Sequence, residues 1–448
     1  MQPIENFALL TDLYQLTMAQ AYFRARRMGI ATFSLFIRSY PPNRGYFVAA
    51  GLQDVLEYLG NFSLDSSAID YLASKNLFSE DFLRYLADLR FTGQVWAIPE
   101  GRLYFKDEPI LEVTAPIVEA QIIETFLINQ IHLQSLIATK AARCAYAAGD
   151  RQVVDFALRR THGTDAGMKV ARASYLAGFA GTSNVLAGQH YAIPIVGTMA
   201  HSFVCSFESE IDAFRAYAAS FPNNTILLID TYDTGQGARN AAQVAKEMAG
   251  RGEKLIGVRI DSGDLAAQAR AVRKILDEAR LTGVKIIGSG GLDEFDLAEM
   301  TNASIPFDSY GVGTKMGTSA DAPWTDMSYK LVEYQDRPVL KLSTGKVSCP
   351  GKKQVFRRRN GRAELECDWI GLRDEKIAGE RLLKEVMRDG RTIAPSPSLA
   401  ESRETFAAEF AALPESVKAI RDPQPYPVEF SPKLIALRDA TVGKITQM

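Results

Sequence analysis

The sequence predicts an α/β protein in which an irregular (β/α) barrel of about seven strands accompanies an α+β domain formed by the N-terminal and C-terminal regions. Short apolar β-type runs alternate with helical runs after about residue 150, and the last four β-type runs lie about 25–30 residues apart. This spacing is typical of repeated βα units with parallel strands. Seven runs approach the eight strands of a closed barrel, although an open doubly wound sheet has the same pattern.

The β-type runs of the predicted barrel are short and apolar, and most of them end in polar or glycine-rich stretches. The run at 179–182 is the weakest, because it is very short and flanked by glycine. The seven runs span residues 153–158, 179–182, 193–197, 226–231, 255–261, 284–288 and 309–314. We therefore assign residues 151–327 to a β/α barrel that carries the active site.

Residues 1–115 mix helical and strand patterns and are assigned to an N-terminal α+β domain. Thr11 or Asp12 is placed to cap the first helix, over residues 9–23. Further helices are predicted at 51–60, 66–75 and 79–90, and strands at 31–38, 94–98 and 102–114, with a turn at 107–109. Residues 116–150 form a long connecting helix that is apolar on more than one face, so we expect it to lie between layers. His132 falls within this helix and is assigned a structural role.

The alternating pattern ends after Tyr329, and residues 328–448 are assigned to strands and helices that return to the N-terminal domain. The predicted elements are strands at 328–334 and 339–342, a basic turn-rich ribbon at 345–359, a helix at 402–413 and an extended tail at 423–434 before a last short helix. Extra strands in this region can complete the sheet of the first region.

Composition narrows the class of protein and its compartment. The formal net charge of -2 gives no large basic surface for nucleic acid or an anionic membrane. No run of about 18 apolar residues predicts a membrane span, and the acidic, proline-containing N-terminus does not resemble a signal peptide. The cysteines show no zinc-site spacing and indicate reduced thiols in a cytoplasmic protein; they are Cys144, Cys205, Cys349 and Cys367.

Candidate catalytic residues follow the β-type runs, because the active sites of barrels and doubly wound sheets lie at the carboxyl ends of the strands. His201, one of only four histidines, comes shortly after the run at 193–197. Arg259 lies inside a run, where an unpaired guanidinium is costly to bury, and so it predicts an anionic partner. Asp230 and Asp261 stand at strand ends and can hold a ribose or a metal-bound diphosphate.

Other strand ends predict anion binding. Arg159 and Arg160 follow the first run and can bind carboxylate or phosphate through their guanidinium groups. Glycine-rich loops follow the last two runs and expose backbone N–H groups near helix N-termini, which suits a phosphate. Their candidate residues are Gly290, Gly291, Gly313 and Thr314. The chain has no Walker lysine motif and no GxGxxG after the first barrel strand, so the set suits a phosphorylated sugar that bears another anionic group.

Five motifs in order resemble the nicotinate phosphoribosyltransferases, a type II phosphoribosyltransferase family. They are LLTDLYQLTM at 9–18, GTMAHS at 197–202, VRIDSGDL at 258–265, YGVGT at 310–314 and KLSTGKVSCPGKKQVFR at 341–357. Each motif alone is weak, whereas five in order are specific. The resemblance runs from residue 9 to about residue 434 and so covers nearly the whole chain.

The resemblance implies that nicotinate and 5-phosphoribosyl 1-diphosphate are joined into nicotinate mononucleotide, with release of diphosphate. This is the first step of NAD salvage from nicotinate. In the family, ATP phosphorylates a histidine, and the matching residue is His201. The resemblance further implies Mg²⁺ with the diphosphate and ATP, and a homodimer with shared active sites.

Individual substrate contacts are also implied by the resemblance. Tyr14 stacks on the pyridine ring, often from the neighbouring subunit, and Phe156 forms the opposite face. Arg159 or Arg160 acts with Arg259 on the nicotinate carboxylate and the diphosphate. The remaining implied contacts are Thr198 in a substrate loop, Asp230 and Asp261 at the ribose hydroxyls or magnesium, Ser262 and Gly263 beside them, and Gly290, Gly291, Gly313 and Thr314 around the 5′-phosphate.

Ser183 bears on whether the substrate is the acid nicotinate or its amide, nicotinamide. The related nicotinamide phosphoribosyltransferase has an acidic residue in the matching segment, where it accepts hydrogen bonds from the amide and repels a carboxylate. Ser183 does not repel a carboxylate, so we expect nicotinate as the substrate. Quinolinate would need additional basic groups for its second carboxylate.

Several alternatives stay open on the sequence alone. They are a nicotinamide or quinolinate phosphoribosyltransferase, a sugar-phosphate aldolase or isomerase barrel, and a non-catalytic nucleotide-binding protein on the same scaffold. A lysine for Schiff-base chemistry is poorly placed, because Lys285 stands at the start of a run. Residues 228–235 approximate the diphosphate loop of the Rossmann-like transferase class, but Ile229 replaces its first acid and we treat the match as coincidental.

Overall fold

A computed structural model describes residues 6–342 and 348–447 of the chain. The chain divides into two compact units. The discontinuous unit comprises Met1–Leu136 and Trp324–Met448, and the central unit comprises Ile137–Pro323. The boundary falls inside the helix Glu124–Ala147, so the predicted connecting helix at 116–150 contributes to both units. That prediction is also interrupted once, because a separate helix, Ile117–Ile122, precedes Glu124.

A seven-stranded antiparallel sheet forms the centre of the discontinuous unit. Its strands, in spatial order, are Arg337–Pro338, Met327–Tyr334, Ile30–Ile37, Leu111–Pro116, Gln94–Ala97, Lys384–Arg388 and Arg391–Thr392. Strands from the C-terminal region therefore flank those of the N-terminal region on both sides. This arrangement confirms the predicted α+β domain that both ends of the chain build.

Two smaller sheets complete this unit and correct the predictions for the C-terminal region. A four-stranded sheet has the order Glu380–Arg381, Lys353–Arg359, Leu365–Leu372 and Val428–Phe430, and a two-stranded sheet joins Phe47–Val48 to Leu103–Tyr104. The predicted strand at 339–342 is wrong, because the strand in this region is Arg337–Pro338 and ends before residue 339. The basic ribbon predicted at 345–359 is largely a strand, and its residues 345–347 lie outside the described residues.

Three of the four positively charged side chains in the strand Lys353–Arg359 have carboxylate partners within the discontinuous unit, namely Lys353, Arg357 and Arg359. Arg357 is fully buried and bonds to Asp368 and Glu409, while Lys353 pairs with Glu112. A buried guanidinium needs such partners, since an unpaired charge in the interior is costly. These side chains therefore stabilise the small sheet.

The helices of the discontinuous unit come from both ends of the chain. They are Leu13–Arg24, Leu52–Asn61, Ser66–Ser74, Glu80–Asp88, Ile117–Ile122, the first half of Glu124–Ala147, Leu399–Ala412, Glu415–Lys418 and Pro432–Thr446. Asp12 is the N-cap of the first helix, and its backbone N–H donates to Gln15. His132 accepts a hydrogen bond from the Thr325 backbone at 2.9 Å, which fits its assigned structural role. No described helix is long and apolar enough to cross a membrane.

A six-stranded parallel sheet, curled into a half-barrel, forms the centre of the central unit. Its strands, in spatial order, are Gly181–Thr182, Gln152–Asp155, Ser309–Val312, Lys285–Ser289, Leu255–Ile260 and Thr225–Leu228. One of the seven predicted runs, 193–197, forms no strand and contributes only an isolated parallel bridge between Ile195 and Thr182. Pro194 lacks a backbone N–H and so limits pairing there.

Helices of the central unit follow its strands, as repeated βα units require. They are Thr164–Leu176, Val185–Tyr191, His201–Cys205, Glu210–Ser220, Thr234–Ala249, Leu265–Glu278, Glu294–Asn302 and Thr314–Gly317, with a 3₁₀ turn at Leu158–Arg160. Because all six strands are parallel, their carboxyl ends meet at one edge of the sheet. That edge brings together residues that lie far apart in the sequence.

Candidate active site

His201 begins a short helix at this edge and has a defined ring orientation. Its Nδ1 lies 3.1 Å from Thr231 Oγ1, and its Nε2 lies 3.9 Å from Asp261 Oδ2. The side chain is 42% exposed, so a substrate can reach the imidazole. Thr231 directly follows Asp230 and was not singled out from the sequence. Its position just after a strand end was the sequence feature that could have identified it as a site residue.

Asp230 and Asp261 belong to one hydrogen-bonded network. Asp230 Oδ2 accepts from the Asp261 backbone N–H at 2.9 Å and from the Ser262 hydroxyl at 2.7 Å. The Ser289 hydroxyl donates to Asp261 Oδ1. Asp230 Oδ1 is buried and has no hydrogen-bond partner among the described residues. A buried carboxylate oxygen without a partner is costly unless a ligand satisfies it, so this atom marks a binding position.

Arg259 projects from the strand Leu255–Ile260 beside the same network. Its Nη2 donates to the Met199 carbonyl at 2.9 Å, whereas its buried Nε has no partner among the described residues. Burial lowers the pKa of Arg259, and the charges of Asp261 and Asp230 oppose that shift. An arginine stays protonated even so, and the free Nε is a donor ready for an anion.

Phe156 lies directly after the strand Gln152–Asp155, and its ring faces the guanidinium group of Arg259. The Arg259 Cζ atom is 5.9 Å from the ring centroid, within the range of a cation–π contact. Asp155 holds the end of this strand, a corner of the site that comprises residues 155–157. Its carboxylate accepts a hydrogen bond from the Ala157 backbone N–H at 2.8 Å and another from the Thr182 hydroxyl at 2.7 Å. Burial raises the pKa of Asp155, and these hydrogen bonds counteract the shift.

Ser183 lies next to this corner, because its backbone N–H donates to the Asp155 carbonyl at 2.8 Å. Asp155 was not singled out from the sequence. It sits inside an apolar run, and an acidic residue in such a run was the signal that could have revealed it. Phe156 and Ser183 are thus held on adjacent strand ends by one buried aspartate.

The predicted phosphate loop approaches Asp261 so closely that a side chain does not fit. Gly290 has φ +99°, and an ideal Cβ there would lie 1.9 Å from the Asp261 carbonyl oxygen. Gly291 also has a positive φ of +69°, in the left-handed region that favours glycine. Both residues line a cavity of about 400 Å³ together with Gly263. Asp264, at its wall, caps the helix Leu265–Glu278.

Three models of known protein families match the chain in order along its length. They are the nicotinate phosphoribosyltransferase N-terminal domain at residues 9–132, the family model at 151–344 and the C-terminal domain at 377–438. The chain belongs to the nicotinate phosphoribosyltransferase family.

Relatives in this family match over nearly the whole chain. Nicotinate phosphoribosyltransferase pncB2 of Mycobacterium tuberculosis (strain H37Rv) is 48% identical, over 96% of this chain and 92% of its own. The nicotinate phosphoribosyltransferase of Bacillus subtilis (strain 168) is 38% identical, over 95% and 93%. The crystal structure of human nicotinic acid phosphoribosyltransferase superposes with a TM-score of 0.87 at 31% identity, over 96% and 99%.

The structure brings together many of the site residues expected for a member of this family. His201, Asp230, Asp261 and Ser262 are linked by hydrogen bonds or close contacts, and Arg259 lies between this network and Phe156. The other central-unit candidates stand in loops at strand ends: Arg159 and Arg160 in an exposed 3₁₀ turn, Thr198 before His201, Gly263 with φ +74°, and Gly313 and Thr314 at the start of the helix Thr314–Gly317.

Tyr14 belongs to the discontinuous unit. It lies in the helix Leu13–Arg24 and is 49% exposed. Its hydroxyl is 3.3 Å from Glu124 Oε2. Partial burial and the neighbouring Glu124 carboxylate raise the pKa of Tyr14 to about 12.

The carboxylates of the site fit a magnesium ion that arrives with a diphosphate. Such an ion keeps several waters and takes one or two protein carboxylates together with phosphate oxygens. Asp230 Oδ1 offers a free carboxylate oxygen. Within residues 6–342 and 348–447, no group of three or more His, Cys, Asp or Glu side chains could hold a metal by itself.

Proposed function

We propose that this chain forms nicotinate mononucleotide and diphosphate from nicotinate and 5-phosphoribosyl 1-diphosphate. The observation that carries the proposal is the pair of unsatisfied buried atoms, Arg259 Nε and Asp230 Oδ1, beside the half-buried ring of Phe156. One is a donor for an anion and the other an acceptor for a hydroxyl or a ligand of a cation. A planar carboxylate base and a sugar diphosphate together supply these partners.

In the proposed reaction the pyridine nitrogen bonds to C1 of the ribose while the bond from C1 to the diphosphate oxygen breaks. Positive charge develops on the ribose and negative charge on the leaving diphosphate. Phe156 holds the base by stacking, and Arg259 places its guanidinium charge on an anionic group. Magnesium, when bound, adds charge neutralisation at the diphosphate. Catalysis is then mainly positioning and electrostatics.

His201 is the proposed acceptor of a phosphoryl group from ATP. A ring nitrogen bonds to the γ-phosphorus, the bond to the ADP oxygen breaks, and ADP leaves. Thr231 and Asp261 orient the ring for this transfer. A phosphorylated histidine adds roughly two negative charges, and it promotes nucleotide formation only through contacts that differ between the two states of the enzyme.

A homodimer with shared active sites, in the cytoplasm, belongs to the same proposal. Tyr14 lies in an exposed apolar patch with Phe7, Leu10 and Leu13, each more than two-fifths exposed. A patch of this kind on a folded unit favours an interaction surface, so a second copy is the proposed supplier of the second stacking ring. The four cysteines are free, which supports a reducing compartment.

Product analysis tests the proposed reaction directly. Purified protein is incubated with 5-phosphoribosyl 1-diphosphate and nicotinate, nicotinamide or quinolinate, each with and without ATP and Mg²⁺. We expect nicotinate mononucleotide, formed faster with ATP, and we expect chelation of Mg²⁺ to stop the reaction. Turnover of nicotinamide alone would reassign the base. Binding of the substrates without product from any base would favour a non-catalytic protein.

Ser183→Asp is expected to lower kcat/KM for nicotinate relative to nicotinamide by about tenfold or more. A carboxylate on this strand end, beside the corner that holds Phe156, repels the nicotinate carboxylate and can accept from an amide. Ser183→Asn is the matched control, since it has similar size and no charge. An unchanged ratio of the two kcat/KM values in the aspartate variant would remove Ser183 from the selectivity argument.

A further inference from the structure

Gly311 lies in the interior of a strand, where glycine is unfavourable. It lies within the strand Ser309–Val312, pairing with Ser289 on one side and with Val154 on the other. Glycine weakens a strand interior and often marks the close approach of another group. Its backbone is not in the left-handed region, so conformation does not require a glycine. The reason must lie in what packs on this strand.

The ring of Phe156 rests on the Gly311 backbone. An ideal Cβ at Gly311 would lie 2.4 Å from both Cδ2 and Cε2 of Phe156 and 3.3 Å from its Cζ. Real Cβ atoms essentially never come so close to a ring carbon, because carbon–carbon contacts are favourable only near 3.5–4.0 Å. The edge of the ring thus fills the space that any side chain at position 311 would need.

Phe156 has little freedom to withdraw from this contact. Its backbone N–H donates to the Val312 carbonyl at 2.8 Å, and an ideal Cβ at Gly313 would lie 3.0 Å from its carbonyl oxygen. The Arg259 guanidinium faces the ring. A methyl group at position 311 must therefore displace the ring by about 1 Å or more, the difference between 2.4 Å and ordinary contact.

We propose that Gly311 is a positioning residue that sets the depth of the Phe156 ring and thereby the width of the slot for a planar base. The proposal rests on the proposed function, in which Phe156 stacks on nicotinate. Gly311 acts through Phe156 and does not itself touch the base. Its effect is expected on the binding of nicotinate more than on that of 5-phosphoribosyl 1-diphosphate.

Steady-state kinetics of Gly311→Ala test the proposal. A misplacement of about 1 Å in a substrate-positioning group costs on the order of 100-fold, so we expect kcat/KM for nicotinate to fall by about that factor, mostly through KM. The KM for 5-phosphoribosyl 1-diphosphate should change by less than about threefold if the displacement stays at the base slot. Gly283→Ala is the control, since a Cβ there meets no atom within 4 Å.

A compensating variant separates this mechanism from general unfolding. Phe156→Ala removes the ring atoms that meet position 311. Adding Gly311→Ala to the Phe156→Ala variant should therefore lower Tm much less than adding it to the wild type, and should reduce kcat/KM less than about threefold. A wild-type nicotinate KM in folded Gly311→Ala, or equal losses of Tm in both backgrounds, would overturn the proposal. If the wild-type protein makes no nicotinate mononucleotide, the proposed function fails, while the coupling in Tm still tests the contact.

Discussion

Replacing His201 with alanine is expected to abolish phosphoenzyme formation and ATP hydrolysis while a slow, ATP-independent transferase activity remains. The imidazole is the nucleophile that would receive the phosphoryl group, and its ring is oriented by Thr231 at 3.1 Å and faced by Asp261 at 3.9 Å. Alanine removes the nucleophile outright. The groups placed on the base and the diphosphate, Phe156 and Arg259, are untouched, so positioning and charge stabilisation persist.

The measurement follows transfer of the labelled γ-phosphate of ATP to the protein as an acid-labile adduct, together with the rates of ATP hydrolysis and of nicotinate mononucleotide formation. His190→Ala is the matched control, because His190 is exposed on the helix Val185–Tyr191. ATP hydrolysis at the wild-type rate in His201→Ala would refute the assigned role. Loss of all transferase activity would make His201 essential to the glycosyl transfer itself.

The fold could be predicted from the sequence where the pattern is local. Helices with polar caps and strands with a regular βα spacing follow from neighbours along the chain. The prediction for the run at 193–197 failed because apolar character alone does not show that a strand has a partner, and Pro194 removes a donor. The stretch predicted as a turn-rich ribbon is largely a strand, and the local sequence does not show that its charges pair with Asp368, Glu409 and Glu112.

The sequence singles out site candidates where a reactive residue follows a strand end, and it misses contacts that depend on the order of the strands in the sheet. His201 and Arg259 can be identified as candidates from their positions relative to the β-type runs of the sequence. The structural role of Asp155 depends on the hydrogen bond that it accepts from the Thr182 hydroxyl. The sequence does not specify that the strands of these two residues pair. The contact between Gly311 and Phe156 is also not visible in the sequence, because Phe156 follows a strand that lies beside the strand of Gly311 only in the folded sheet.

Substituting Arg259 with methionine is expected to reduce kcat/KM by about 10²–10³-fold, the loss typical of removing one preorganised donor from a developing anion. Methionine keeps most of the apolar stem but removes the charge. It also leaves Asp230 and Asp261 without the cation that opposes them in the native site, so an anionic substrate meets net repulsion. The loss should appear with nicotinate and with 5-phosphoribosyl 1-diphosphate as the varied substrate.

Lysine at position 259 should restore only part of this activity, because it has a point charge and lacks the planar fork that bonds to Met199 while keeping Nε free. Arg251→Met is the control: Arg251 is exposed and pairs with Glu253 just before the strand Leu255–Ile260 begins, at the opposite end from the site. Steady-state kinetics and calorimetric binding of diphosphate separate the two steps. If Arg259→Met kept diphosphate affinity and lost only nicotinate affinity, the guanidinium would serve the carboxylate of the base. If kcat/KM for both substrates stayed within about threefold of wild type, far below the loss expected for a preorganised donor, electrostatic stabilisation would have to come from Arg159, Arg160 or the metal instead.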